Sequence, residues 1–161
     1  MPSFTAPDGV AIAYDDTDPG GPAPLLLIHG YSSNRQEAWK RTGWYAALAQ
    51  RGQRVVAADL RGHGESGKPH DPAAYSREVL LGDATGLMDH LGVEWANVFG
   101  YSMGAHLALA MAISEPERVG YLILGGVGGK MFDPPVPGHP MALAMEAASP
   151  DDITEPMLKS F

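Results

Sequence analysis

The segment NVFGYSMGAHLAL, Asn97–Leu109, decides how the rest of the chain reads. It opens with β-branched and aromatic residues and closes on an alanine- and leucine-rich run suited to a helix, with Gly100, Ser102 and Gly104 in a G-x-S-x-G pattern between them. Glycines two residues to either side of a serine, where a strand passes into a helix, describe a bend too tight for side chains at the flanking positions. The residue at the apex is held in a sparsely populated backbone conformation, at a strain of roughly 1–3 kcal/mol. Its hydroxyl projects into the crevice at the strand end. The N–H of Met103 opens the helix toward the same space, where the helix dipole favours negative charge. The competing reading is a tight strand–helix turn with an incidental serine.

Working outward, four short apolar runs stand out: PLLLIHG (24–30), RVVAADL (54–60), WANVFGYS (95–102) and GYLILGG (120–126). None alternates apolar with polar residues, as suits strands buried on both faces of a parallel sheet. Helical segments are expected between them, over Gln36–Gln50, Ser76–Leu91 and Met103–Ile113. Strand alternating with helix predicts right-handed βαβ units. Near the start, FTAPDGVAIAYDD reads as two strands joined by a Pro7-Asp8-Gly9 turn. In such a sheet ligands bind at the carboxyl ends of the strands. That places His29-Gly30-Tyr31, the Asp59–Gly64 loop and the Ser102 bend at the candidate site, with the Tyr31 N–H expected as a second oxyanion donor. After Gly126 the glycine- and proline-rich GVGGKMFDPPVPGHP excludes regular structure, a short helix is expected over Met141–Ala148, and Ser149-Pro150-Asp151-Asp152 reads as a helix start.

Composition narrows the chemistry. The 161 residues include no cysteine, which excludes disulfides, thiolate metal sites and a cysteine nucleophile. A net charge of -8 disfavours nucleic acid. The first residues show neither a basic n-region nor a continuous apolar h-region, and no apolar run is long enough to span a bilayer, so a cytoplasmic protein without membrane partners is expected. No metal or cofactor is expected. GGVGGKM is too short for a phosphate-binding loop and ends in Met131 where a hydroxyl should hold magnesium, and no G-x-G-x-x-G follows a strand. DDTDPGG lacks the acidic twelve-residue calcium pattern, and Asp15, Asp16 and Asp18 are expected in a solvated turn.

LLLIHGYSSN, VVAADLRGHGES and NVFGYSMGAHLALAMA, in that order, resemble the oxyanion strand, the D-x-R-G-x-G-x-S loop and the nucleophile elbow of the α/β-hydrolases. The resemblance covers about residues 1–126, read as the N-terminal part of an α/β-hydrolase core, a mostly parallel sheet with helices on both faces that lacks the C-terminal strands. Residues 127–161 resemble a linker and the start of a cap. The resemblance implies that Ser102 is the nucleophile, that the Tyr31 and Met103 amides form the oxyanion hole, and that His29, Gly30, Gly100 and Gly104 support the motifs. It implies nothing catalytic for Asp59, Arg61 or His63, whose loop is expected to shape one wall of the site. His106 is expected as a satisfied core or crevice histidine.

A serine nucleophile needs a base, and the base an orienting acid. In this fold both follow the serine in the chain. His106 and His139 are the histidines that do, and Gly125, Gly126 and Val127 offer no carboxylate directly after the YLILGG strand, where some relatives carry the acid. Asp133 and His139 form a candidate local pair. The preferred expectation is that the acid and histidine lie past Phe161, and that this is the N-terminal part of a serine esterase for a small-molecule ester. The alternatives are a non-catalytic ligand-binding module or, among enzymes, a lactonase, thioesterase, carbon–carbon hydrolase or perhydrolase. The unguarded apolar edge of the last strand is expected to pair with a second copy or with a complementing C-terminal half.

Overall fold

The computed structural model describes residues 2–18 and 21–129. Contacts define a compact unit over Met1–Gly128, which holds every element below, and a second over Gly129–Phe161. The segment containing Asp133 and His139, the helix expected over Met141–Ala148 and the start expected at Ser149 lie outside the described residues.

Six strands form one sheet: β1 (Ser3–Thr5), β2 (Ala11–Asp16), β3 (Leu25–Ile28), β4 (Val55–Ala58), β5 (Ala96–Tyr101) and β6 (Val119–Gly125), in spatial order β1-β2-β4-β3-β5-β6. The β1–β2 hairpin turns at Gly9 and joins β4 antiparallel, and the other pairings are parallel. The expected strands are present, each within a few residues of the run that predicted it.

Strand β3 shows why the apolar runs do not alternate. Leu26 and Ile28 pack on one face with Val56, Val98, Leu87, Leu107 and Met111. Leu25 and Leu27 pack on the other with Val55, Ala57, Trp39 and Phe99. Both faces are covered, so both sets of the period-two pattern are apolar.

The first face is covered by α2 (Arg77–His90) and α3 (Met103–Ser114). Ser76 caps α2 by accepting the Val79 N–H at 3.3 Å. The helix expected over Gln36–Gln50 is instead two pieces, a π-helical turn over Gln36–Lys40 and α1 (Trp44–Ala49). They are separated at Gly43, whose φ of 87° ends one and starts the other. The break lets Trp39 bury under the sheet while Trp44 stays partly exposed.

The chain crosses from β3 to β4 on one side and returns past β3 to β5 on the other. This reversal opens a crevice beyond the carboxyl ends of β3 and β5. The last residue of β5, Tyr101, pairs with Gly125, and the next N–H, that of Ser102, donates to the Gly125 carbonyl at 2.8 Å.

Candidate active site

Ser102 stands between β5 and α3 with φ 52° and ψ −114°, one of two non-glycine residues at positive φ among those described. The sterics that force this conformation lie in its neighbours. A Cβ on Gly100 would fall 2.1 Å from the Gly104 carbonyl oxygen, and one on Gly104 would fall 2.2 Å from the Ile28 carbonyl oxygen. Strand, helix and the end of β3 therefore meet backbone to backbone. Gly30 completes the approach, because its Cβ would lie 3.2 Å from Ser102 Cβ.

These contacts bring Tyr31, the residue after Gly30, to the rim of the same crevice as Ser102. Met103 opens α3, whose first N–H groups have no helical carbonyl to receive them. Among the described residues neither the Tyr31 nor the Met103 N–H has an acceptor, whereas the Ser102 carbonyl is taken by the Ala105 and His106 N–H groups.

A cavity of about 490 Å³ opens beside Ser102, walled by Tyr31, Trp39, Trp44, Phe99 and Tyr101. Trp39, Trp44 and Phe99 form a ring cluster with centroids 5.0–6.2 Å apart and tilted or edge-to-face planes. Trp39 is buried, and its indole N–H has no hydrogen-bond partner among the described residues.

His29, just after β3, is fully buried, and both its nitrogens are occupied. Nδ1 lies 2.7 Å from the Gly30 carbonyl, and Nε2 receives the Leu60 N–H at 3.0 Å. These partners select the neutral Nδ1–H tautomer. Burial pushes its pKa down to about 4, the Gly30 bond opposing and the neighbouring His63 assisting. The ring ties the end of β3 to the loop after β4 and has no nitrogen left for Ser102.

That loop carries its own ionic frame, and Asp59, Arg61 and His63 are not among the described residues lining the cavity. Asp59, almost fully buried, accepts the Arg35 N–H at 2.7 Å and the Glu65 N–H at 2.8 Å, and pairs with the Arg35 guanidinium. Arg35 also meets Asp15 at 3.3 Å and Glu65 at 2.6 Å. Arg61 is equally buried and makes a two-bond pair with Asp83 of α2, at 2.7 Å through each nitrogen, and a further contact to Asp8 at 2.6 Å. Asp83 first, then Asp8, raises the Arg61 pKa. Ser66 Oγ donates to the Asp59 carbonyl at 2.6 Å and accepts the Ala13 N–H at 2.9 Å. The role of Asp59 and Arg61 is to hold the loop. His63 alone of the three approaches the crevice, its ring 5.8 Å from that of Tyr31.

Two further expectations are corrected. Asp15 and Asp16 belong to β2 rather than to a solvated turn. Asp15 meets Arg35 and accepts from the Tyr45 hydroxyl, and Asp16 makes a buried two-bond pair with Arg54. His106 is exposed on α3 rather than in the core or crevice, because position 106 falls on the helix face turned away from the sheet. Among the described residues no histidine or carboxylate is hydrogen-bonded to Ser102, and no cluster of histidine and acidic side chains is set to hold a metal ion. No described helix is long and apolar enough to cross a membrane.

Comparison with known proteins agrees with this geometry. The chain is 40% identical over 117 residues to 2-hydroxymuconate semialdehyde hydrolase of Pseudomonas sp. (strain CF600), covering 71% of this chain and 40% of that protein. It is 32% identical over 128 residues to epoxide hydrolase 3 of Siraitia grosvenorii, covering 80% of this chain and 39% of that one. The crystal structure of an epoxide hydrolase from Vigna radiata superposes with a TM-score of 0.70 at 27% identity, over 90% of this chain and 44% of the other. The chain thus spans about 40% of the length of the curated relatives it matches. The model of the alpha/beta hydrolase fold matches residues 23–154, and the chain belongs to that family.

Proposed function

We propose that the protein is a serine hydrolase that cleaves carboxylic esters through an acyl-enzyme at Ser102. The observation that carries this reading is the strained Ser102 backbone, fixed by glycines that admit no Cβ on either side. It sets the hydroxyl at the mouth of an apolar cavity, beside two N–H groups that have no acceptor among the described residues. Ser102 Oγ attacks the ester carbonyl and gives its proton to a histidine. The carbonyl oxygen gathers charge and accepts the Tyr31 and Met103 N–H groups. The alkoxide leaves with the proton, and water, activated by the same base, releases the acid and restores the hydroxyl. The histidine and its carboxylate come from outside the described residues. Each oxyanion donor is worth roughly 10²–10³ in rate in enzymes of this kind.

The nucleophile separates this chemistry from that named for the epoxide hydrolases among the relatives. A carboxylate that opens an epoxide forms an ester that water can cleave. A serine oxygen would form an ether, with no carbonyl for water to attack, and the enzyme would stall. The second reading, hydrolysis of a carbon–carbon bond, is favoured by the 40% identity to 2-hydroxymuconate semialdehyde hydrolase. It uses the same hydroxyl but demands that the leaving carbon receive a proton.

A fluorophosphonate should label the intact protein once, at Ser102, and labelling that persists in Ser102→Ala would remove the mechanism. Turnover of a nitrophenyl ester against that of 2-hydroxymuconate semialdehyde then separates the two readings. A labelled protein that turns over neither leaves the other enzymatic alternatives, a lactonase, thioesterase or perhydrolase, to be tried before a ligand-binding module.

A further inference from the structure

We propose that the cavity beside Ser102 is a subsite for a neutral, flat aromatic group, and that Trp44, Phe99 and the lack of a charged side chain among the described lining residues set this preference. The inference rests on Ser102 marking the site where substrate binds, but not on the reaction that follows.

Shape gives the first argument. The cavity, about 490 Å³, lies within the range of small-ligand pockets, roughly 300–1,000 Å³. Its inner wall is the triad of rings, with the Phe99 centroid 5.0 Å from that of Trp39 and 5.1 Å from that of Trp44, inclined at 57° and 67°. Rings crossed in this way offer both faces and edges to a further ring, the two arrangements aromatic pairs prefer. A puckered aliphatic ring of the same carbon count offers neither a flat face nor a positive edge.

Charge gives the second. Among the described residues that line the cavity none is a lysine, arginine, histidine, aspartate or glutamate. Arg35, two positions past Ser33 on its wall, is fully buried and committed to Asp15, Asp59 and Glu65. A carboxylate seated among the Trp39, Trp44 and Phe99 rings, away from the Tyr31 and Met103 N–H groups, would lose its hydration with no counter-charge among the described lining residues to replace it, a loss that apolar contact does not offset. Ser33 supplies one hydroxyl, enough for a neutral carbonyl but not for an anion. The Thr42 hydroxyl already donates to the Ala38 carbonyl at 2.7 Å.

The test is equilibrium binding to the intact protein at neutral pH, followed by tryptophan fluorescence from Trp39 and Trp44 and repeated by calorimetry. Three probes of similar size are compared: acetophenone, its carboxylate counterpart benzoate, and methyl cyclohexyl ketone. Acetophenone is expected to bind at least tenfold more tightly than benzoate and at least threefold more tightly than the cyclohexyl ketone. Trp44→Ala should weaken acetophenone at least fivefold. Thr42→Arg, at an exposed position, should raise benzoate affinity at least fivefold. Circular dichroism checks that both variants fold. Benzoate or the cyclohexyl ketone binding as tightly as acetophenone overturns the proposal, as does benzoate indifferent to the new arginine. Fluorophosphonate labelling of the same samples keeps the two readings apart. A preference kept without labelling fails the serine hydrolase alone, and labelling without a preference fails the subsite alone.

Discussion

A methyl group on Gly104 would stand 2.2 Å from the carbonyl oxygen of Ile28, inside any contact distance. The first turn of α3 rests directly on the end of β3. Both partners are backbone, so neither can rotate aside. Gly104→Ala is expected to cost about 3 kcal/mol or more, at the upper end of overpacking effects. A denaturant titration that puts the variant within about 1 kcal/mol of the parent would show that α3 can shift.

Strain at the bend gives a second, opposite expectation. Ser102 occupies a positive φ that costs a non-glycine residue roughly 1–3 kcal/mol, and alanine carries the same penalty. Glycine relieves the strain but has more freedom to lose on folding, by roughly 0.5–1 kcal/mol. Ser102→Gly should therefore melt above Ser102→Ala by a margin equivalent to about 1 kcal/mol, the difference of those two ranges near their midpoints. Neither variant should label with fluorophosphonate.

His29 predicts a pH dependence. Its folded-state pKa is pushed from the ordinary 6.5 down to about 4. Between those values the unfolded chain binds a proton that the folded chain refuses, so stability is fully present above pH 6.5 and falls as pH drops toward 4. The loss approaches about 3 kcal/mol, at 1.36 kcal/mol per pH unit over that window. Unfolding free energies of the parent and of His29→Gln, measured between pH 7 and pH 4, should converge as pH falls. A constant gap would locate the acid sensitivity elsewhere.

Arg61 distinguishes a buried partner from an exposed one. Asp83 is almost fully buried beside it, whereas Asp8 is 42% exposed. Asp83→Asn leaves a buried guanidinium short of its main counter-charge and should cost about 3 kcal/mol. Asp8→Asn should cost much less, since water screens and replaces it. Equal losses in thermal melts of the two variants would contradict this ordering.

Among the described residues β6 pairs on one side only, with β5, and carries Tyr121 at 79% and Ile123 at 48% exposure. An apolar edge of this kind invites pairing with another strand. Self-association that rises with concentration is the expected behaviour in size-exclusion chromatography, and Ile123→Lys should reduce it. A parent protein that elutes as a monomer throughout would rule out that use of the edge.

The bend at Ser102 was legible in the sequence because its code is local and steric: Gly100 and Gly104 are the residues that three converging backbones admit. The parallel strands were legible for a similar reason, since two covered faces leave a four-residue strand such as Leu25–Ile28 no polar position. The ionic frame was not. Arg35 and Asp59 lie 24 residues apart, and Arg61 and Asp83 22 apart. In the chain these look like ordinary surface charges, because only the fold decides which are buried together. His106 misled for the converse reason, since an apolar helix with little asymmetry does not reveal which face meets the sheet. Gly43 gave the one available signal that Gln36–Gln50 is broken, a glycine inside a helical pattern.

The hydrogen bond from Ser102 N–H to the Gly125 carbonyl ties the apex of the bend to the end of β6. The reactive residue, carried by the interior strand β5, is thus moored to the outermost strand described as well. Whatever stiffens or frays that margin reaches the hydroxyl through this amide, so a cut or a docked strand at the rim is expected to alter reactivity.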